Sequence, residues 1–225
     1  MTNTYIKNVL LEHGVNRLFH TNTVETSLSF LKSGGLLSRG LCLDMRMPQT
    51  VQYTDNLDRA YNIFYDIFFD SINIQRRTGI SYYGPVLFVY SVDLLDIIEE
   101  GHIRITKMNP DKWRNTSNDN DRYFNGEEEL AFRYDSNDFG QHITLTHQIA
   151  PLPFSYLEKI ELSDPHCEDN SLFQTADKAI RSVITAQDMN VCYQVRDYNY
   201  NERFYETYKN TEIVIKHFGL GGHNL

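Results

Sequence analysis

The sequence predicts an α+β fold with mainly antiparallel strands. Strand-like and helix-like segments follow one another irregularly along the 225 residues, without the regular strand–helix–strand order of a parallel sheet. Apolar residues make up 41% of the chain and charged residues 23%, a balance typical of globular proteins. Because the length suits one domain and no linker or repeat interrupts it, we expect a single domain over residues 1–225.

The first half of the chain contains alternating strand and helix signals. Leu57, Tyr61, Phe64 and Phe68 recur at spacings of three and four, which favours a long helix there. The continuous apolar run VLFVYS is typical of a buried strand. The predicted elements are a strand at 17–23, a helix that ends at Gly34 and Gly35, a helix from Thr54 or Asp55 to about Asn73, a strand at 86–91 and a short helix that ends at Gly101.

The second half begins with a polar, turn-forming segment at 114–126, which predicts an exposed loop. The segment EEELAFRYD after it is interpreted as a strand. Apolar residues at helical spacing predict a second long amphipathic helix over 171–189. Further strands are expected in the segments HITLTHQI, LEKIEL, VCYQVRDY and EIVIKHF.

Charge and composition exclude several functions. A net charge of −9 argues against tight non-specific binding to nucleic acid, although it leaves room for a local basic groove. Neither a membrane span nor a secretory signal is visible, so we expect a cytoplasmic protein with no membrane partner. The three cysteines lack C-x-x-C spacing, and His142 and His147 are expected on opposite faces of a strand, so no metal is expected.

The segment 19–40, FHTNTVETSLSFLKSGGLLSRG, carries the clearest motif. It resembles the opening of the DarT-type family of NAD-dependent ADP-ribosyltransferases, in which a histidine is followed by polar residues at two, six and nine positions. Those places hold His20, Asn22, Thr26 and Ser29 in this chain. Asn22 stands where the family usually has threonine and Thr26 where it usually has asparagine, and both can still hydrogen-bond a nicotinamide amide or a ribose.

The resemblance implies an ADP-ribosyltransferase fold, a split antiparallel β core with flanking helices and NAD in the cleft between the sheets. It also implies that Arg39, with Arg46 as its competitor, and Arg76 or Arg77 contact the pyrophosphate. Tyr82 or Tyr83 is expected to stack on nicotinamide, although a basic turn followed by two half-buried tyrosines explains that segment equally well. The cofactor-binding set implied is His20, Asn22, Thr26, Ser29, Arg39, Arg77 and Tyr82.

Glu127, Glu128 and Glu129 follow the polar loop and resemble the E-x-E element of ADP-ribosyltransferases. This resemblance gives Glu129 the principal catalytic role, because an ionised carboxylate near the ribose stabilises the oxocarbenium-like state that forms when nicotinamide leaves. Glu127 is the second catalytic candidate, for deprotonating the acceptor, and Glu128 replaces it if the strand register differs by one. A solvated acidic strand end is the ordinary alternative.

The same family resemblance implies transfer of one ADP-ribose unit to a nucleobase in single-stranded DNA or RNA. Arg122, Tyr123 and Phe124 in the polar loop are expected to contact phosphate and to stack an unpaired base. The implied context is a toxin of a toxin–antitoxin or phage-defence system, held by a neutralising antitoxin protein. A protein acceptor and a binding module without turnover stay open as alternatives.

Overall fold

Two main sheets and one small sheet form the β core in a computed structural model that describes residues 1–75, 83–114, 117–167, 169–197 and 206–221. A four-stranded sheet has the order β1-β4-β8-β9, a three-stranded sheet has the order β3-β6-β5, and β2 pairs with β7. All pairs are antiparallel except β8 with β9. The strands are β1 (Arg17–Asn22), β2 (Gly35–Leu36), β3 (Ile67–Phe69), β4 (Val86–Ser91), β5 (Ile103–Ile105), β6 (Ile143–Leu145), β7 (Leu152–Pro153), β8 (Leu157–Ser163) and β9 (Cys192–Arg196).

Helices surround these sheets, and the α+β class predicted from sequence is confirmed. Short 3₁₀ segments lie at Val92–Ile97, Pro110–Lys112 and Phe154–Tyr156. No helix within the described ranges is long and apolar enough to cross a membrane. The α-helices are α1 (Asn3–Glu12), α2 (Val24–Ser33), α3 (Arg39–Asp44), α4 (Asp55–Ala60), α5 (Asp119–Arg122), α6 (Glu127–Arg133), α7 (Ser171–Ala186) and α8 (Thr211–Phe218).

The two main sheets are joined at the middle of β1. The backbone N–H groups of Phe19 and Asp70 each donate to the other residue's carbonyl, at 2.9 and 2.8 Å. Aromatic contacts continue the junction into the core, where the ring centres of Phe69 and Tyr90 lie 5.7 Å apart. Both rings are fully buried, so the core fixes one sheet against the other.

The predicted strand and helix over residues 17–34 are confirmed, and local signals explain them. The Thr23 side chain accepts a hydrogen bond from the Thr26 N–H and begins α2. Gly34 ends the helix with a φ of 77°, a left-handed conformation that glycine adopts without strain. Almost every residue of α2 is buried, and its Phe30 ring packs against His20 of β1 and Phe88 of β4.

The long helix predicted from Thr54 or Asp55 to about Asn73 is wrong. Helix α4 ends at Ala60, and Asn62 takes a left-handed φ of 58°. The chain then enters β3, which pairs with β6. Leu57, Tyr61 and Phe68 instead pack in a small cluster with Trp113 and Tyr123, because tertiary packing outweighs a local periodic pattern.

Two predicted strands are helices. Glu127, Glu128 and Glu129 occupy the first turn of α6, where acidic side chains stabilise the positive end of the helix dipole. The segment EIVIKHF forms α8, with Asn210 accepting hydrogen bonds from the N–H groups of residues 212 and 213. The strands predicted at 86–91 and 157–162 and the long helix predicted at 171–189 are confirmed, the helix ending at Ala186.

Candidate active site

A cleft lies where the two main sheets meet. Its walls come from the end of β1, the start of α3, helix α4, strand β3 and the residue before β6. Concave sites lined by apolar side chains and a few polar groups are typical of small-molecule and cofactor sites. The wall residues that can act chemically on a ligand include His20, Arg39, Asp58, Asp66, Asp70 and His142.

His20 is held in one tautomer by the sheet junction. Its Nδ1 lies 2.9 Å from the Phe68 carbonyl oxygen, which only accepts, so Nδ1 carries the proton. Burial lowers the pKa of His20, and the imidazole is neutral at pH 7. Its Nε2 is buried without a hydrogen-bond partner in the described part of the chain. The cleft therefore contains an unused hydrogen-bond acceptor on His20.

Arg39 offers the complementary group, an unused donor. Its Nε and Nη2 donate to the two carboxylate oxygens of Asp55, at 2.9 and 2.7 Å, so the guanidinium is fixed in a bidentate pair. The remaining nitrogen, Nη1, is buried and has no partner among the described residues. Since only 13% of this side chain is exposed, Nη1 is a preorganised donor for an anionic oxygen of a ligand.

Two aspartates in the cleft are difficult to ionise. Burial raises the pKa of Asp58 to about 7, although a hydrogen bond from the Thr54 hydroxyl opposes the shift. Burial also raises the pKa of Asp66 to about 6, partly offset by the N–H of His147 at 3.0 Å from its Oδ1. At pH 7 Asp66 is mainly ionised and Asp58 is about half ionised.

Asp70 and His142 lie against each other in the cleft wall. The Nδ1 atom of His142 lies 3.1 Å from Oδ1 of Asp70, and the two side chains are only 13% and 17% exposed. The Phe68 ring also packs edge-on against the imidazole, with 6.0 Å between ring centres. An imidazole with one nitrogen held by a carboxylate has the arrangement of an oriented base.

The predicted cofactor-binding residues divide into two groups. His20, Asn22 and Arg39 line the cleft. Thr26 and Ser29 are buried in α2 and are not among the cleft residues: the Thr26 hydroxyl accepts from the Thr50 N–H, and the Ser29 hydroxyl donates to the Pro48 carbonyl. These two hydroxyls hold the segment after α3 against α2, and a cofactor-binding role for them stays a prediction.

The second predicted nucleotide-binding segment is described only at its edge. Arg77 and Tyr82, with the alternative Arg76, lie outside the described residues. Tyr83, the alternative to Tyr82, lines the cleft, and burial raises the pKa of its hydroxyl. Arg46, the competitor of Arg39, is exposed and does not line the cleft.

The predicted catalytic carboxylates lie on α6 rather than on a strand. A hydrogen bond from Lys107, at 2.6 Å from Glu129 Oε1, lowers the pKa of the Glu129 carboxyl. Arg133 lies 3.4 Å from the same oxygen, and the Glu127 carbonyl accepts a hydrogen bond from the Tyr5 hydroxyl of α1. Neither Glu127 nor Glu129 is among the residues that line the cleft.

The predicted exposure of Tyr123 and Phe124 is wrong. Both side chains are 3% exposed, because the end of α5 turns their rings into the protein. The Arg122 guanidinium lies 4.9 Å from the ring centres of both Tyr61 and Trp113, with no ion pair inside the described ranges. Tyr123 and Phe124 therefore act as packing residues in this structure, whereas Arg122 keeps an unpaired charge.

Sequence reasoning missed Asp58, Asp66 and Asp70 and considered His142 only as a metal ligand. Nothing in the sequence marks them, because they are brought together by the sheet junction rather than by a short motif. Among the described residues, no group of three or more His, Cys, Asp or Glu side chains is arranged to hold a metal ion.

No protein-family model matches the sequence, and no curated protein matches it. Among solved structures, DarT of Thermus sp. 2.9 in complex with ADP-ribosylated single-stranded DNA is similar, with a TM-score of 0.51 and 12% identity over 81% of this chain and 95% of that chain. The chain has the fold of DarT. The ADP-ribosyltransferase fold expected from the sequence is thus confirmed, and the likeness at this identity concerns the fold alone.

Two further structures of Thermus sp. 2.9 DarT are similar. The complex with NAD⁺ gives a TM-score of 0.49 and 13% identity over 81% of this chain and 96% of that chain. The complex with carba-NAD⁺ gives a TM-score of 0.48 and 10% identity over 83% of this chain and 97% of that chain. Because both of these TM-scores are below 0.5, the assignment of the DarT fold rests on the complex with ADP-ribosylated DNA.

Proposed function

We propose that the chain is an NAD-dependent mono-ADP-ribosyltransferase that modifies a nucleobase in single-stranded DNA. One observation carries the proposal: the cleft at the sheet junction contains a buried unpaired donor, Arg39 Nη1, and a buried unpaired acceptor, His20 Nε2. Buried polar atoms are nearly always paired in proteins, so two orphans in one cleft favour a polar ligand. The similar DarT structure holds ADP-ribosylated DNA, which supports a donor of ADP-ribose, and the family resemblance of residues 19–40 proposes NAD as that donor.

In this proposal the pyrophosphate of NAD binds Arg39 Nη1, because a guanidinium fixed by Asp55 loses little further freedom on binding an anion. A ribose hydroxyl donates to His20 Nε2. Asn22, at the end of β1, lines the same wall and is proposed to contact the nicotinamide side of the dinucleotide. Thr26, Ser29, Arg77 and Tyr82 remain further proposed contacts from the family resemblance.

Bond cleavage needs an ionised carboxylate near the nicotinamide ribose, because positive charge develops on that sugar. The family resemblance proposes Glu129, with Glu127 assisting. The structure favours Asp66, which lines the cleft and is mainly ionised at pH 7, whereas Glu129 is bonded to Lys107 outside the cleft wall. Two matched amide variants separate these proposals.

We expect Asp66→Asn to reduce the transfer rate by about 10²-fold or more, since the amide keeps the bond from His147 but loses the charge. Glu129→Gln is expected to stay within about threefold of the parent, because it loses only its pairs with Lys107 and Arg133, outside the cleft wall. Single-turnover transfer rates measure both. The opposite ranking would return the catalytic role to Glu129.

Single-stranded nucleic acid is the acceptor that the site supports. The complex of Thermus DarT contains ADP-ribosylated single-stranded DNA, which favours DNA over RNA. Arg122 has no ion pair among the described residues and lies beside Tyr61 and Trp113. These two rings form a buried cluster with Ile63, which also lines the cleft. If Arg122 binds a backbone phosphate of the single-stranded DNA, the DNA passes beside the mouth of the cleft. Paired bases are poor acceptors, because extrusion from a duplex costs a few kcal/mol.

The direct experiment incubates the purified chain with NAD and, separately, single-stranded DNA, duplex DNA, RNA and protein. Nicotinamide release and a mass gain on single-stranded DNA are expected. Labelled RNA or protein would change the acceptor, and NAD binding without turnover would identify a binding module. The toxin role, the antitoxin partner and the cytoplasmic location implied by the family resemblance belong to this proposal, and growth arrest on expression tests the first.

A further inference from the structure

The Asp70–His142 pair belongs to the cleft but has no role in binding NAD as proposed above. Its two residues flank different strands: Asp70 lies directly after β3, and His142 lies directly before β6. Both line the cleft, and the contact between His142 Nδ1 and Asp70 Oδ1 is 3.1 Å.

Both partners are fixed by their backbones. Asp70 exchanges two hydrogen bonds with Phe19, so it cannot move away from β1 without opening the sheet junction. The His142 N–H donates to the Thr106 hydroxyl at 2.7 Å, and the His142 carbonyl accepts from the Thr106 N–H at 3.0 Å. Thr106, directly after β5, thus fixes the His142 backbone, and the Asp70 carboxylate lies against the imidazole Nδ1, so Nε2 is the ring nitrogen that does not face this carboxylate.

His142 and His20 differ in what their Nδ1 atoms face. The Nδ1 of His20 faces a backbone carbonyl, and burial disfavours the charged form of that imidazole. The Nδ1 of His142 instead faces the Asp70 carboxylate at 3.1 Å. The arrangement is that of an imidazole base oriented by a carboxylate.

We propose that His142, oriented by Asp70, is the general base that deprotonates the acceptor; this rests on the proposed transferase function. The acceptor nitrogen forms a bond to C1′ of the nicotinamide ribose while the bond from C1′ to the nicotinamide nitrogen breaks. That electron pair leaves with nicotinamide and neutralises its pyridinium. The acceptor proton moves to His142 Nε2, and the imidazolium later releases it to water, so charge and atoms balance.

The test uses His142→Ala, with His13→Ala as the matched control directly after α1, outside the cleft wall. Transfer to single-stranded DNA is expected to fall about 10²-fold or more in His142→Ala, as removal of a general base does, while the Kd for NAD changes less than threefold. Added imidazole should restore a measurable part of the rate, because it can enter the space left by the side chain. His13→Ala should transfer at the parent rate.

Asp70→Asn tests the positioning half of the pair. The amide preserves size but not charge, so kcat is expected to fall about tenfold or more with KM for NAD nearly unchanged, and imidazole should not rescue it. A purely structural role would lower thermal stability and NAD affinity in both variants and would show no rescue.

Three outcomes overturn the inference. They are parent-rate transfer by His142→Ala, absence of imidazole rescue, and loss of NAD binding equal to the loss of transfer. If the parent chain transfers normally and His142→Ala transfers equally well, the proposed function stands and only the role of His142 as the general base is rejected. A parent chain that releases no nicotinamide overturns the proposed function and the general base together.

Discussion

Arg39 is the residue whose contacts most directly predict an anion site. Its guanidinium holds Asp55 with two nitrogens and presents the third to the cleft. Arg39→Lys keeps the charge but cannot make both contacts from one ammonium group. We expect the Kd for NAD to rise about tenfold, equivalent to about 1.4 kcal/mol, measured by calorimetry.

The matched control for that substitution is Arg46→Lys, because Arg46 is exposed and lies outside the cleft wall. Its Kd for NAD should stay within twofold of the parent. Equal effects at the two positions would indicate long-range charge attraction rather than a phosphate contact at Arg39.

His20 can be tested one nitrogen at a time. Asparagine keeps a donor near the position of Nδ1 and removes Nε2, whereas glutamine reaches the position of Nε2 and loses the bond to Phe68. We expect His20→Asn to weaken NAD binding about tenfold with small loss of stability, and His20→Gln to lose stability with less effect on binding. Calorimetry and thermal unfolding measure the two effects, and identical profiles for both variants would contradict the assigned roles.

At the scale of the elements, the rings after α5 are expected to stabilise the fold. Tyr123 packs with Trp113, at 5.3 Å between ring centres, and the guanidinium carbon of Arg104 lies 3.6 Å from the Tyr123 ring centre. Tyr123→Ala is expected to cost about 3–5 kcal/mol in the free energy of unfolding, measured by urea titration, because it opens a cavity. Phe132→Ser, at a side chain that is 91% exposed, should cost less than about 0.5 kcal/mol.

A native-like urea midpoint for Tyr123→Ala, with transfer to single-stranded DNA abolished, would restore the base-stacking role predicted from sequence. Loss of both together would instead follow from unfolding. The comparison therefore includes transfer rates at a temperature well below the midpoint of each variant.

The first strand and helix were predictable because their signals are local. Residues 17–34 contain a strand, a threonine N-cap and a glycine stop within one short segment, and His20 and Arg39 were found through that motif. The strand predicted for the segment EEELAFRYD is wrong, because the segment begins helix α6. Three glutamates after a polar loop resemble the strand end of the family motif, but acidic residues also suit the first turn of a helix.

The remaining site residues could not be predicted, because their proximity depends on tertiary pairing. Asp70 meets His142 only when β3 pairs with β6 and β1 bridges to Asp70. These partners are about seventy residues apart in sequence, and neither lies in a short motif. Local patterns carry information about caps and turns, while the junction of two sheets is set by the whole core.

At the scale of the whole molecule, the cleft concentrates acidic groups in a chain whose net charge is already −9. A bound dinucleotide is itself anionic, so each ionised aspartate in the cleft opposes it. Arg39 offsets part of this repulsion, and the raised pKa of Asp58 removes about half a charge at pH 7. Binding of NAD is thereby linked to the protonation of the cleft.

The same carboxyl group makes stability depend on pH. The pKa of Asp58 is about 7 in the folded chain, above its ordinary value of 3.8, so the folded state binds more protons between these values. Asp58 therefore lowers the free energy of unfolding progressively as the pH rises from about 4 to 7, and its full penalty is present above 7. Asp58→Asn keeps an oxygen for the Thr54 hydroxyl and removes this penalty.

We expect Asp58→Asn to be more stable than the parent at pH 8, by up to about 4 kcal/mol, with a difference that shrinks toward pH 4. Urea titrations of both chains at pH 4, 6 and 8 measure this, with Asp111→Asn as a control on an exposed carboxylate. Folded-state carboxylates whose pKa is lowered, such as Glu161 beside Lys159, act in the opposite direction but cancel in the comparison. A stability difference that does not change with pH would show that Asp58 ionises as freely in the folded cleft as in the unfolded chain.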